Sequence, residues 1–362
     1  MRLVAAVRGF IPIMTLAVSA WAFSAPAGAA EGRGGGGGEE PALSVVPCGD
    51  TAALVAAVTT ANNTAGGGTV SLATGCVYTL ASAAETGSNG PDGLPVITGK
   101  VTISGTGATI RRSASALDFR IAEVAPGGRL TVSGVTLSGG RAVVGGGILD
   151  LGALTLAQSA ATTNAASSVG GGIEVGSGAT ATLGSSHVSG NTANDGGGVH
   201  VSTGGSLAAN SSTFSDNTAD STGGAIANWG NSVLTAVRIE TNHANDFEGG
   251  GIWTSIGDMT FNGGRIIGNT AGGSGAGIAN FDSALHLQAA VVSGNVATLN
   301  GGGLFNHAGN TQIVGTNITD NTAHGSQGGG IFSDGGSVSL SATNVTGNNP
   351  NNCVPALAGC SA

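Results

Sequence analysis

"SGNTANDGGGVH", residues 189–200, contains the unit that decides the fold. Its wording returns as "SDNTADSTGGAIAN" (215–228), "IGNTAGGSGAGIAN" (267–280), "SGNVATLNGGGLFN" (293–306) and "TDNTAHGSQGGGIF" (319–332). The aliphatic residue closing each glycine run falls at Ile148, Ile173, Val199, Ile226, Ile252, Ile278, Leu304 and Ile331, in steps of 25 to 27. An Asn recurs with the same spacing: Asn164, Asn191, Asn217, Asn242, Asn269, Asn295, Asn321 and Asn348. Three residues before each Asn stands an apolar residue, Ala161 through Val345, and eight before stands another, Leu156 through Leu340. Segments such as "LTL" (154–156) and "LHL" (285–287) alternate with period two, which marks strands. No repeat holds a helical stretch. Three short strands and three turns per period describe one coil of a parallel β-helix.

Stacking explains the repetition. One coil of about 26 residues cannot bury its inward side chains alone, but an identical coil ~4.8 Å away pairs with every strand. Each inward aliphatic then gains roughly 1.5–3 kcal/mol by burial. The leading glycines permit positive φ at a turn. The Asn is expected at another turn, in the left-handed region, with its side chains bonded up the axis as scaffold rather than as a catalytic amide. The expected fold is all-β: one right-handed parallel β-helix of ten or eleven coils.

The chain has 362 residues, 68 of them Gly, so only its period separates it from low-complexity sequence. Residues 1–30 read as a secretory signal, with Arg2 and Arg8 before an apolar run and Ala27-Gly28-Ala29 as cleavage site. No other apolar run is long enough to span a membrane. Residues 31–47 form a Gly-rich linker, 48–141 an N-terminal cap with the first coils, 142–349 the regular repeats and 350–362 a C-terminal disulfide cap. "CGDTAALVAAVTTANN" (48–63) reads as a short capping helix with Asp50 as N-cap. Four cysteines in an exported chain suggest disulfides, Cys48–Cys76 and Cys353–Cys360; pairing across the ends would span about 40 Å of stacked coils.

Formal charge is −9, and about −11 without the signal's two Arg. From residue 142 onward two basic residues, Arg238 and Arg265, face twelve acidic ones. Such a body is expected to repel nucleic acid and anionic membrane, and polyanionic sugars unless a cation bridges them.

"GGGI" followed by an aromatic or aliphatic, two residues and Asn resembles the polymorphic outer-membrane protein repeats of chlamydial surface proteins. The pairs "LFN" (304–306) and "IAN" (226–228, 278–280) are closer still to secreted right-handed β-helix repeat proteins of the pectin-lyase-like superfamily. The resemblance covers about residues 142–349 and implies the fold. Pectin-lyase-like folds host polysaccharide lyases and hydrolases and also many non-enzymes, so fold alone does not give function. The membrane barrel that follows the chlamydial repeats has no counterpart here.

The residue after each aliphatic is expected to point outward: Leu149, Glu174, His200, Ala227, Trp253, Ala279, Phe305 and Phe332. Glu174 and His200, one coil apart, are a candidate acid–base couple, or simply an exposed polar pair. Trp253, Phe305 and Phe332 make an aromatic strip suited to sugar rings, with Ala279 as a shallow step. "NDFEGG" (245–250) lacks the repeated pattern of calcium-binding rolls, and Arg111, Arg112 and Arg120 near Asp118 and Glu123 read as local ion pairing. No metal site, cofactor motif or phosphate loop is found. These readings point to a non-catalytic, secreted or surface-associated scaffold or adhesin. Its partner is a polysaccharide or another cell-surface component, bound through Trp253, Phe305, Phe332, Glu174 and His200. The alternative is a polysaccharide lyase or glycoside hydrolase.

Overall fold

Each apolar column found in the sequence corresponds to a line of residues paired in parallel register. In a computed structural model describing residues 44–325 and 327–360, Ile148 pairs with Ile173, Ile173 with Val199, and so on to Leu304 with Ile331. The chain is an all-β parallel solenoid of about 12 coils, ~26 residues each, somewhat more than the ten or eleven expected. The extra coils come from irregular segments before residue 142, which pair by the same rule: Gly68–Leu72 lies on Lys100–Arg112, and that strand on Arg129–Ser138. The expected signal (1–30) and residues 31–43 of the linker lie outside the described residues.

Most of the regular coils have four segments rather than the three expected. The coil of Val199–Val201 continues through Ser206–Asn210, Thr213–Ser215 and Thr218–Ala219, which is four. The two middle ones belong to one sheet, and in Asn231–Glu240 they fuse into a single strand bent at Ala236, φ 53°. The sheets hold 19, 10 and 8 strands, with a two-stranded hairpin, Glu85–Gly87 and Gly90–Asp92, beside them. The apolar columns line the inside: Leu183, Val188, Phe214, Phe261, Ile266 and Ile318 are fully buried.

The turn beside the Asn differs from expectation. None of the eight Asn has positive φ; the residue before each one does, namely Thr163, Gly190, Asp216, Thr241, Gly268, Gly294, Asp320 and Gly347. That residue turns the chain inward, so the Asn side chain enters the stack. There Asn242 donates its backbone N–H (2.9 Å) and its Nδ2 (3.0 Å) to Asn269 Oδ1, and Asn269 does the same to Asn295. Nδ2 of Asn269 also reaches the Ile239 carbonyl at 3.1 Å.

The glycine runs belong to the same device. The first glycine of each run has φ between 56° and 72°. The third lies beneath the Asn ladder. A Cβ on Gly251 would stand 2.6 Å from the Gly277 carbonyl oxygen, too close without a backbone shift, whereas the coil of Ile226 carries Ala225 at this place.

At the N-terminal end a helix, Thr51–Asn63, buries Leu54, Ala57, Val58 and Ala61, with Asp50 accepting from the Ala53 N–H at 2.8 Å. Disulfides join Cys48 to Cys76 and Cys353 to Cys360. No helix among the described residues is long and apolar enough to cross a membrane.

Candidate functional site

The outward column on the ten-stranded sheet is not a solvated face. Its strands are at most four residues long, and in the repeats the first and third residues after the aliphatic both point outward and compete for space. Where the first is Ala227, the third is Trp229; where it is Ala279, the third is Phe281. Where the first is Trp253 or Phe305, the third is Ser255 or His307. The rings therefore zigzag from coil to coil without a gap. Centroids lie 4.7 Å apart for His200–Trp229, 4.3 Å for Trp229–Trp253 and 5.8 Å for Trp253–Phe281. The line continues at 5.4 Å to Phe305 and 5.8 Å to Phe332. The step expected at Ala279 is filled by Phe281. Trp229, Trp253, Phe281 and Phe332 are half-buried, while Phe305 is only 7% exposed. Trp229 and Phe281 escaped the sequence reading because it followed one outward position per coil. The alternation of alanine and aromatic was the available signal.

Glu174 and His200 meet, but under cover: they are 3% and 8% exposed, not a solvated pair. His200 Nδ1 is 2.6 Å from Glu174 Oε2, and Ser202 donates to Oε1 at 2.7 Å. Both carboxylate oxygens thus have partners within the protein, and the imidazole is packed against Trp229.

Glu248, from the "NDFEGG" turn, borders the strip. Its neighbour Gly249 abuts Trp253: a Cβ on Gly249 would be 2.6 Å from Trp253 Cβ. Burial raises the Glu248 pKa, opposed in part by a hydrogen bond from its own backbone N–H and then by His307. No cation pairs with Glu248 among the described residues, and no group of three potential metal ligands occurs there. His307 itself bonds Asp334 at 2.7 Å.

A second polar cluster lies near the N-terminal end. Arg120, 1% exposed, bonds Asp92 at 3.0 Å and Glu123 at 2.7 Å, while Asn89 holds the other Glu123 oxygen. Arg120 also lines a cleft of about 410 Å³ with Asn89, Asp118, Arg141 and Val143. Desolvation pushes the Asp92 pKa up to about 7, Arg120 opposing it. Arg112 is held by the carbonyls of Gly139 and Ala116. The hairpin carries Asp92 to Arg120 from outside the repeats, where no period announces it.

The solenoid and its aromatic strip define the class of this protein as a parallel β-solenoid. Set against protein families, curated proteins and solved structures, the chain matches none.

Proposed function

We propose that this protein is a non-catalytic, secreted or surface-associated scaffold or adhesin that binds polysaccharide along the aromatic strip. The observation that carries this reading is the unbroken run of rings from Trp229 to Phe332, most of them half-open to solvent. Ring faces offer apolar area to the C–H faces of sugars. On this reading the solenoid is right-handed and pectin-lyase-like, the helix Thr51–Asn63 closes its first coil, and two disulfides suit an oxidising exterior. Catalysis by Glu174 and His200 is disfavoured, because the carboxylate is already saturated by His200 and Ser202.

The test is a glycan array followed by isothermal titration calorimetry. Trp229→Ala with Trp253→Ala should weaken the best ligand by at least about tenfold while the parallel-sheet circular dichroism is kept. Wild-type protein that binds no glycan, or a folded double variant that binds as well as wild type, would refute the reading. Release of reducing ends or unsaturated sugars by the wild type would replace it with the enzymatic alternative.

A further inference from the structure

We infer that the ligand of the strip is a cationic glycan, a chain of amino sugars bearing free ammonium groups; this rests on the glycan-binding reading above. The first observation is spacing. The strip offers about one ring per coil, at ~4.8 Å per coil, close to the length of a pyranose unit in an extended chain. Trp229, Trp253 and Phe281 succeed one another at 4.3 and 5.8 Å, so consecutive sugars meet consecutive rings. The second is the charge around them. Glu248 stands at one border beside Trp253, and Asp282 follows Phe281 directly. Asp334 lies at the far end, bonded to His307.

No lysine or arginine answers these carboxylates. The two basic residues of the repeat region, Arg238 and Arg265, pair with each other's strands in the 19-stranded sheet, away from the strip. A uronate chain would bring its carboxylates against Glu248 and Asp282, with no lysine or arginine beside the strip to offset the repulsion. An ammonium group meets the opposite situation on both counts. It is attracted to the electron-rich faces of Trp229 and Trp253, and it brings positive charge to the half-buried Glu248, which no lysine or arginine pairs among the described residues.

The experiment compares four probes by fluorescence titration at low and high salt: an oligomer of glucosamine, the same oligomer fully N-acetylated, an oligogalacturonate and spermine. The glucosamine oligomer should bind at least about tenfold tighter than the N-acetylated one at low salt, with the difference shrinking at high salt. The oligogalacturonate should not bind. Glu248→Gln and Asp282→Asn should each lower glucosamine affinity several-fold and leave the N-acetylated oligomer unchanged. Asp282 is exposed, so its variant tests the idea even if Glu248→Gln unfolds. Equal binding of the two oligomers, or indifference of the glucosamine oligomer to both variants, overturns the cationic preference and leaves glycan binding standing. Spermine binding as tightly as the oligomer overturns the sugar component. Failure of all the oligosaccharides with a folded protein removes the underlying reading.

Discussion

Asn269 shows what one side chain does in a stacked fold. Its Oδ1 receives two hydrogen bonds from Asn242, and its Nδ2 gives one to Ile239 and one to Asn295. It is fully buried, so none of these groups can turn to water. Asn269→Ala should cost roughly 1–3 kcal/mol in denaturant melts, because the Asn242 N–H and the Ile239 carbonyl lose a partner inside the stack. A loss near zero would mean that water or a backbone shift replaces the amide. Asn280 and Asn306, of the second "IAN" and of "LFN", form a shorter ladder of their own, while Asn228 donates to Thr254 at 3.1 Å. Asn280 donates to Asn306 at 3.0 Å, and Asn306 to Ser333 at 3.2 Å. Their place is inward because the strand alternates from the buried aliphatic two residues earlier.

On the ten-stranded sheet the unit of packing is a pair of outward positions per strand, not a single column. Phe281 covers Ala279 and touches Trp253, Phe305 and His307. Ala279→Phe should overpack the strand beneath Phe281 and cost about 1–3 kcal/mol. Phe281→Ala should cost a similar amount by removing ring contacts of ~0.5–1.5 kcal/mol each. The double variant moves the ring to the position that Trp253 uses one coil earlier, and it should recover more than half of the summed loss. A double-mutant cycle by urea melts measures this; strict additivity would show that the two positions do not share space.

Over the whole molecule, the buried carboxyls Asp150 and Asp92 contribute most to the response to pH. Asp150 points into the core between Val124 and Val175, accepts from the Gly152 N–H at 3.0 Å, and leaves Oδ2 without a partner among the described residues. Burial raises its pKa from 3.8 to about 7, and desolvation does the same for Asp92. The folded state therefore binds more protons than the unfolded chain between these values. The stability they contribute is complete below about pH 4 and is lost as pH rises through about 7. The melting temperature should climb from pH 8 to pH 5. Asp150→Asn should flatten that slope by up to ~1.4 kcal/mol per pH unit while keeping the fold. A variant with an unchanged slope would show that Asp150 is ionised in the core.

Much of this architecture is legible in the chain because a solenoid writes each spatial column as a sequence period. The register of Ile148 through Ile331, the buried positions three and eight residues before each Asn, and the ends marked by paired cysteines all follow from spacing. Stacking forces identical positions into contact, so composition and period suffice for them. Exposure of the outward positions is decided differently. Whether Glu174 or Phe305 meets water depends on the volumes of side chains one coil away and two residues along, which no single column contains. The same holds for Arg120, whose partner Asp92 arrives on a hairpin outside the repeat. Contacts between unlike positions are set by three-dimensional packing, and only the folded stack brings them together.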